Sequence, residues 1–184
     1  MEPTWDEKVL RIDAALAARG LAYAFGGAIA LNYHREPRST LDIDVNIFVS
    51  PADQVAVLDA LADAHQLEER SRLAEELAQD GQTRALWGDT FIDVFLANTA
   101  FHESMAGRVQ RQPFGGREIP VLSIEDLLVC KVLFDRPKDW LDMEAVADTR
   151  AGELDTSYVV RWLEGFLGAS DERVARTRAL LTRG

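Results

Sequence analysis

Two aspartates, Asp42 and Asp44, stand one residue apart in the stretch "RSTLDIDVNIFV". In a β-strand that spacing puts both carboxylates on one face, roughly 7 Å apart between α-carbons. Charges of one sign so close repel, and burying them is costly unless a cation lies between them. A third acid, Asp93 in "FIDVF", is flanked by Phe91 and Phe95 on its own face, a poor choice for solubility alone. If the strand at 90–97 pairs with the one at 41–49, three carboxylates meet on one patch of sheet. Oxygen-only donors suit a hard divalent cation, magnesium above all, and lack the imidazoles and thiolates that zinc prefers. The bland alternative is strand-edge acids that discourage aggregation.

Gly26-Gly27 closes a short strand and opens a helix, a place where backbone amides can approach a phosphate. A glycine pair is also an ordinary turn; its position ahead of Asp42 gives it interest. Thr40 shares the acids' face by parity and could contact phosphate, whereas Ser39 reads as a plain strand-entry residue.

The elements that must carry these residues are legible in outline. "TWDE" is a capping box that opens a helix ended by Gly20. "LAYAF" is a strand, "AIALNYH" a helix, and Leu41 to Val49 an alternating strand with Leu41, Ile43, Val45 and Ile47 toward the core. Ser50-Pro51 starts a helix to about residue 65, and "SRLAEELAQD" forms another ended by Gly81. "TRALW" and "TFIDVFLA" form a hairpin about Gly88-Asp89. A helix near 100–106, a hairpin about "FGGRE" and the strand "IPVL" follow. Ser123 caps a helix through about Phe134, and helices at 138–149, 156–167 and 171–182 complete the chain. The fold class is therefore α/β (α+β): a mixed sheet flanked by helices over residues 1–122, then a helical C-terminal part over 123–184.

Apolar residues make up 47% of the 184 and charged residues 28%, a globular composition. No apolar run reaches membrane-span length and the N-terminus does not read as a signal peptide, which excludes a membrane role. The single Cys130 forms no internal disulfide, so a cytoplasmic location fits; it reads as a buried small hydrophobe. The net charge of −11 argues against a broad basic surface for nucleic acid. Arginines still gather at 35–38, 108–117 and 173–183, so a local basic strip could hold RNA.

The ordered set "FGGAIALNYHREPRSTLDIDV" and "FIDVF" resembles the nucleotidyltransferase superfamily of DNA polymerase beta type. Downstream, "VLSIEDLLVCKVLFDRPKDWLDMEAV" is similar to its small bacterial members related to the AbiEii toxins. The resemblance covers roughly residues 20–150, with Gly27 standing where many relatives carry Ser. It implies a nucleotidyltransferase core over 1–122 that moves a nucleotide from an NTP to an acceptor hydroxyl and releases pyrophosphate. Asp42 and Asp44 would hold two magnesium ions; Asp93 would ligate the second and accept the hydroxyl's proton. Gly26, Gly27, Ser39 and Thr40 would border the nucleotide.

Lys131 lies in the apolar stripe of its helix, with Leu127, Leu128 and Phe134 as neighbours. It either snorkels outward or reaches into a cleft. Lys138 follows Pro137 at a helix start, where the dipole disfavours a cation, so Asp142 or a bound triphosphate must compensate. The resemblance favours Lys138 on the nucleotide phosphates, with Arg136 and Lys131 as helpers. Asp139 reads equally as a helix-start acid. His34, His65 and His102 have no ligand spacing, and Trp5, Trp140 and Trp162 read as core.

Three readings remain open. Related toxins imply the 3′ end of tRNA, with an antitoxin in control and Arg35, Arg38, Arg173, Arg176, Arg178 and Arg183 as RNA contacts. Ser39 or Thr40 is then a regulatory phosphorylation point, since a phosphate there competes for the metal site. The acidic chain also suits a small cationic acceptor of aminoglycoside type. The third reading is a regulatory module without catalysis, disfavoured by the intact acids.

Overall fold

Thr4 and Glu7 exchange hydrogen bonds as a capping box, the Thr4 N–H to the Glu7 carboxylate at 2.9 Å and the Glu7 N–H to the Thr4 hydroxyl at 3.3 Å. Helix α1 (Trp5–Ala18) starts there. It is the first element in a computed structural model that describes residues 2–182. The chain forms two compact units. One holds the residues through Ile29 and Arg38–Leu122, the other Ala30–Pro37 and the residues from Ser123 onward.

The first unit is built on a six-stranded mixed sheet. Its strands are β1 (Tyr23–Phe25), β2 (Ile43–Ile47), β3 (Gln82–Trp87), β4 (Thr90–Leu96), β5 (Gln110–Phe114) and β6 (Arg117–Val121). They lie in the order β3-β4-β2-β1-β6-β5. β2 runs parallel to β4 and β1 parallel to β6, and the other neighbours are antiparallel. Helix α2 (Gly27–Leu31) follows β1. Helices α3 (Gln54–Ala64), α4 (Arg70–Asp80) and α5 (Ala100–Ala106) complete the unit, with α1 against α3 and α4 against β3.

The alternation in β2 and β4 does what period-2 patterning requires. Ile43, Val45, Ile47, Ile92, Val94 and Leu96 are all buried on one side. Leu41 departs from the expectation. The strand begins at Ile43, so Leu41 lies outside it and is 65% exposed. Both hairpins form where the glycines call for them, with Trp87 opposite Thr90 and Phe114 opposite Arg117. Gly115 and Gly116 both take positive φ, as a two-residue primed turn needs.

A buried lysine fastens one hairpin. Lys8 on α1 donates to the Trp87 carbonyl (2.9 Å), the Thr90 hydroxyl (3.0 Å), Asp89 (3.1 Å) and Glu2 (3.0 Å). Burial alone would lower its pKa, but the hydrogen bonds and charges of Glu2 and Asp89 raise it, so Lys8 keeps its charge.

The second unit consists of α6 (Ile124–Phe134), α7 (Pro137–Thr149), α8 (Thr156–Leu167) and α9 (Glu172–Leu181), with residues 30–37. The Ser123 hydroxyl caps α6 by accepting the Asp126 N–H (3.2 Å) and donates to the Asp126 carboxylate (2.7 Å). Tyr158 from α8 donates to the other oxygen of that buried acid, pinning α8 to α6. Cys130 is half-buried on α6. Among the described residues no helix is long and apolar enough to cross a membrane.

The three histidines are structural in their settings. His65 stacks on Trp87 and His102 meets the Thr99 hydroxyl. His34 is buried, and neither ring nitrogen has a hydrogen-bond partner among the described residues. Burial lowers its pKa, with Arg150 adding to the effect and Glu125 partly opposing it. A folded pKa below the ordinary value gives stability that is complete above about pH 6.5 and lost as pH falls through the folded value. The melting temperature of the wild type should therefore drop more between about pH 7 and about pH 5 than that of His34→Leu. Parallel curves for the two proteins would show that His34 does not contribute.

Candidate active site

The decisive register is that of β2 against β4: Asp44 lies directly opposite Asp93, between the pairs Ile43–Ile92 and Val45–Val94. Both acids therefore occupy the face opposite the buried aliphatic residues, and both are half-buried. Carboxylates placed side by side across two strands destabilise the sheet unless a cation intervenes. Asp42 precedes β2 rather than lying within it. Thr40 places it: the Thr40 hydroxyl accepts the Asp42 N–H at 3.2 Å. Thr40 is half-buried and Ser39 exposed.

The glycine pair packs onto this acidic face. A Cβ at Gly26 would come 3.1 Å from the Asn46 side chain. Asn46 shares the acids' face by parity but is buried. Gly27 has φ +48°, and a Cβ there would come 1.9 Å from Oδ2 of Asp44. The departure at this position thus has a physical reason. With this backbone, Asp44 fills the space that a serine side chain would need.

One participant escaped the sequence reading. Arg84 on β3 is the register partner of Asp93. Its Nε–H donates to Oδ1 of Asp93 at 2.6 Å and its Nη2 donates to Oδ2 at 2.7 Å, a bidentate clasp. The hydrogen bond to Asp93 is the main cause of a raised Arg84 pKa; burial opposes it, and the charges of Asp93, Asp42 and Asp44 add to it. The guanidinium also lies over the Phe91 ring at 4.9 Å. The signal was available: a two-residue turn at Gly88-Asp89 pairs 87 with 90, and counting outward pairs 84 with 93.

The cations of the second unit are mostly committed within it. Lys131 turns inward and donates to Asp139 (3.2 Å) and Asp142 (2.7 Å), both buried. Arg35 takes the other oxygen of Asp142 at 2.6 Å. Arg136 clasps Asp139 (2.6 and 3.2 Å), while the Asp139 carboxylate also accepts the Arg136 N–H at 3.3 Å. Asp139 is thus the helix-start acid of α7. Burial would raise its pKa, but Arg136 and Lys131 hold it below the ordinary carboxylate value. The expected compensation of Lys138 by Asp142 does not occur, because Asp142 is held by Lys131 and Arg35. Lys138 is exposed, and no described residue pairs with it.

The arginines offered for RNA are likewise engaged: Arg173 with Asp171, Arg178 with Glu164, and Arg176 with Glu144 and the Trp140 ring. Arg183 lies outside the described residues. Trp140 is core, as expected, whereas Trp5 and Trp162 are half-buried.

Residues 8–179 match the family described as Nucleotidyl transferase AbiEii toxin, Type IV TA system. The chain belongs to the AbiEii family. It is accordingly a nucleotidyltransferase of toxin–antitoxin type. No curated protein matches the sequence significantly. Among solved structures, the fold resembles the solution structure of the antibiotic-resistance factor ANT(2'')-Ia, with a TM-score of 0.57 at 20% identity, over 97% of this chain and 91% of that one. A crystal structure of ANT(2'')-Ia with adenylyl-2''-tobramycin gives 0.56 at 20% identity, covering 97% of each chain. A protein of H. pylori described as a nucleotidyltransferase gives 0.51 at 14% identity, over 96% of this chain and 89% of that one. At these identities the likeness is one of fold.

Nucleotidyltransferases of this kind generally take a nucleoside triphosphate and a divalent metal. In this AbiEii chain the donor chemistry fits such a metal. Asp42, Asp44 and Asp93 supply only carboxylate oxygens, and Gly27 leaves Asp44 its place. The donors are not gathered in advance: among the described residues, no three His, Cys, Asp or Glu side chains converge as a metal cluster. Asp93 is turned onto Arg84 instead.

Gly27→Ala tests the close approach. Left-handed backbone and the collision with Asp44 should cost about 1–3 kcal/mol of stability and reduce nucleotide transfer by about tenfold or more. Wild-type melting temperature and turnover in Gly27→Ala would show that the contact is not needed.

Proposed function

We propose that this AbiEii-family protein transfers a nucleoside monophosphate from an NTP to the 3′-terminal hydroxyl of tRNA in a magnesium-dependent reaction. The observation that carries the chemistry is the register of Asp44 beside Asp93 on a sheet face whose reverse is sealed in the core. The tRNA acceptor rests on the toxin family of the chain. Asp42, Asp44 and Asp93 are the residues that would hold magnesium. When bound, magnesium screens the phosphate charge and makes the acceptor hydroxyl more acidic.

The roles of the chain's own groups follow from their placement. Asp93, once released from Arg84, offers an oxygen to take the acceptor's proton. Of the glycine pair, Gly26 already donates its N–H to the Asp44 carbonyl at 2.9 Å, so the Gly27 backbone at the start of α2 is the one that would meet a phosphate. Lys138 is the second-unit cation best suited to a triphosphate, because Lys131 and Arg136 are tied to Asp139 and Asp142. The two tied residues set the first turn of α7, which bears Lys138. They would act on the nucleotide through it.

Incubation with total tRNA, magnesium and each α-labelled NTP should label RNA with the wild type. Asp42→Ala and Asp44→Ala should abolish the label, and Asp93→Asn should reduce it by roughly 10²–10⁴. Pyrophosphate release that needs an added aminoglycoside, with no label on RNA, would favour the second reading. That reading is supported by the net charge of −11, which suits a cationic acceptor, and by a fold shared with a protein captured with an adenylylated aminoglycoside.

Control by an antitoxin system is part of the toxin reading. Ser39 and Thr40 are its proposed phosphorylation points. The Thr40 hydroxyl holds the Asp42 N–H, so a phosphate there would displace Asp42 and place nearly two negative charges beside it. Mass spectrometry of the protein co-expressed with its genomic neighbour should find one of the two modified. Both unmodified, with activity nevertheless suppressed, would refute this control point.

A further inference from the structure

We infer that Arg84 is a built-in counter-cation of the carboxylate face, holding Asp93 until a divalent metal takes its place. This rests on the reading that Asp42, Asp44 and Asp93 hold that metal. Asp93 is only 15% exposed and lies opposite Asp44 across two strands. With no cation at hand, that pair would carry an uncompensated repulsion of like charges. Arg84 meets the need from the neighbouring strand, with both of its hydrogen bonds spent on the two Asp93 oxygens.

The same clasp conflicts with metal binding. A metal needs an Asp93 lone pair that faces it, and a guanidinium across both oxygens competes for the lone pairs and repels the incoming cation. The arginine is also placed to let go. It is 54% exposed, projects from the sheet and rests on Phe91, itself exposed. Its long stem can turn away without moving β3 or β4, and the Phe91 ring offers the displaced cation a perch. A purely structural ion pair would not require its partner to be a metal donor in the working state. Arg84 is therefore a positioning residue: it acts through Asp93 and couples metal entry to release of the carboxylate.

Mn²⁺ titration by calorimetry, on the full chain without nucleotide, tests the exchange in wild type, Arg84→Gln, Arg84→Lys and Asp93→Asn. Arg84→Gln should bind Mn²⁺ about tenfold more tightly than wild type. Arg84→Lys, which keeps the charge and loses the fork, should fall between them. In wild-type protein, Mg²⁺ should shift the Arg84 Nε–H resonance in a ¹H–¹⁵N spectrum, a readout that does not depend on any variant folding. Unchanged or weaker Mn²⁺ affinity in folded Arg84→Gln, or an Nε–H signal unmoved at saturating Mg²⁺, would overturn the inference and leave the metal site standing. No Mn²⁺ binding to any of these proteins, or Asp93→Asn binding as wild type does, would instead overturn the metal reading, and the role of Arg84 with it.

Discussion

The pairing of β2 with β4 is the constraint on which the rest depends. Ile43, Val45, Ile47, Ile92, Val94 and Leu96 are sealed on one side of the two strands. A slip of one residue would turn the aliphatic set of either strand to the other face, at a cost of roughly 1.5–3 kcal/mol for each large side chain moved out of the core. The register therefore cannot relax to separate Asp44 from Asp93. Hydrophobic burial on one side of the sheet enforces electrostatic repulsion on the other. Arg84 is the cation that answers it in this structure.

Each unit answers its buried charge in its own way. In the first, Asp93 is met by Arg84 from an adjacent strand, on a face that stays partly open. In the second, Asp139 and Asp142 are almost fully covered and share Lys131, while Arg136 and Arg35 take the remaining oxygens. Carboxylates so covered are tolerable only when every oxygen is engaged, and removing one partner from such a network is costly. The closed network is suited to holding α6 and α7 in place. The open pair is suited to exchange. That difference in exposure, rather than residue type, separates the closed network from the open pair.

The parts of the structure that were legible in the sequence follow from local rules. Alternation named β2 and β4, glycine turns named the hairpins, and the Thr4–Glu7 capping box and N-cap serines named helix starts. The acids were found because a charged pair on the face of an apolar strand needs an explanation. Leu41 was misplaced because alternation in the sequence continues beyond the point where the hydrogen-bonded strand begins. Arg84 carries no signal of its own type or periodicity, and only the hairpin count places it opposite Asp93. The fate of Lys131 depended on Asp142 and Arg35, the latter 107 residues away from its acid. Helix periodicity shows only that such a lysine is turned inward, not what meets it. The positive φ of Gly27 and its approach to Asp44 are tertiary facts with no local signature beyond a glycine pair.

The proposed function stands on a divalent-metal site at the face that carries Asp42, Asp44 and Asp93. An anomalous-scattering map from crystals grown with Mn²⁺ and a non-hydrolysable NTP tests it most directly. A manganese peak bounded by Asp44 and Asp93 is expected, with the Asp93 carboxylate turned away from Arg84. A peak elsewhere in the chain, or none at the Asp44–Asp93 face, would contradict the metal site.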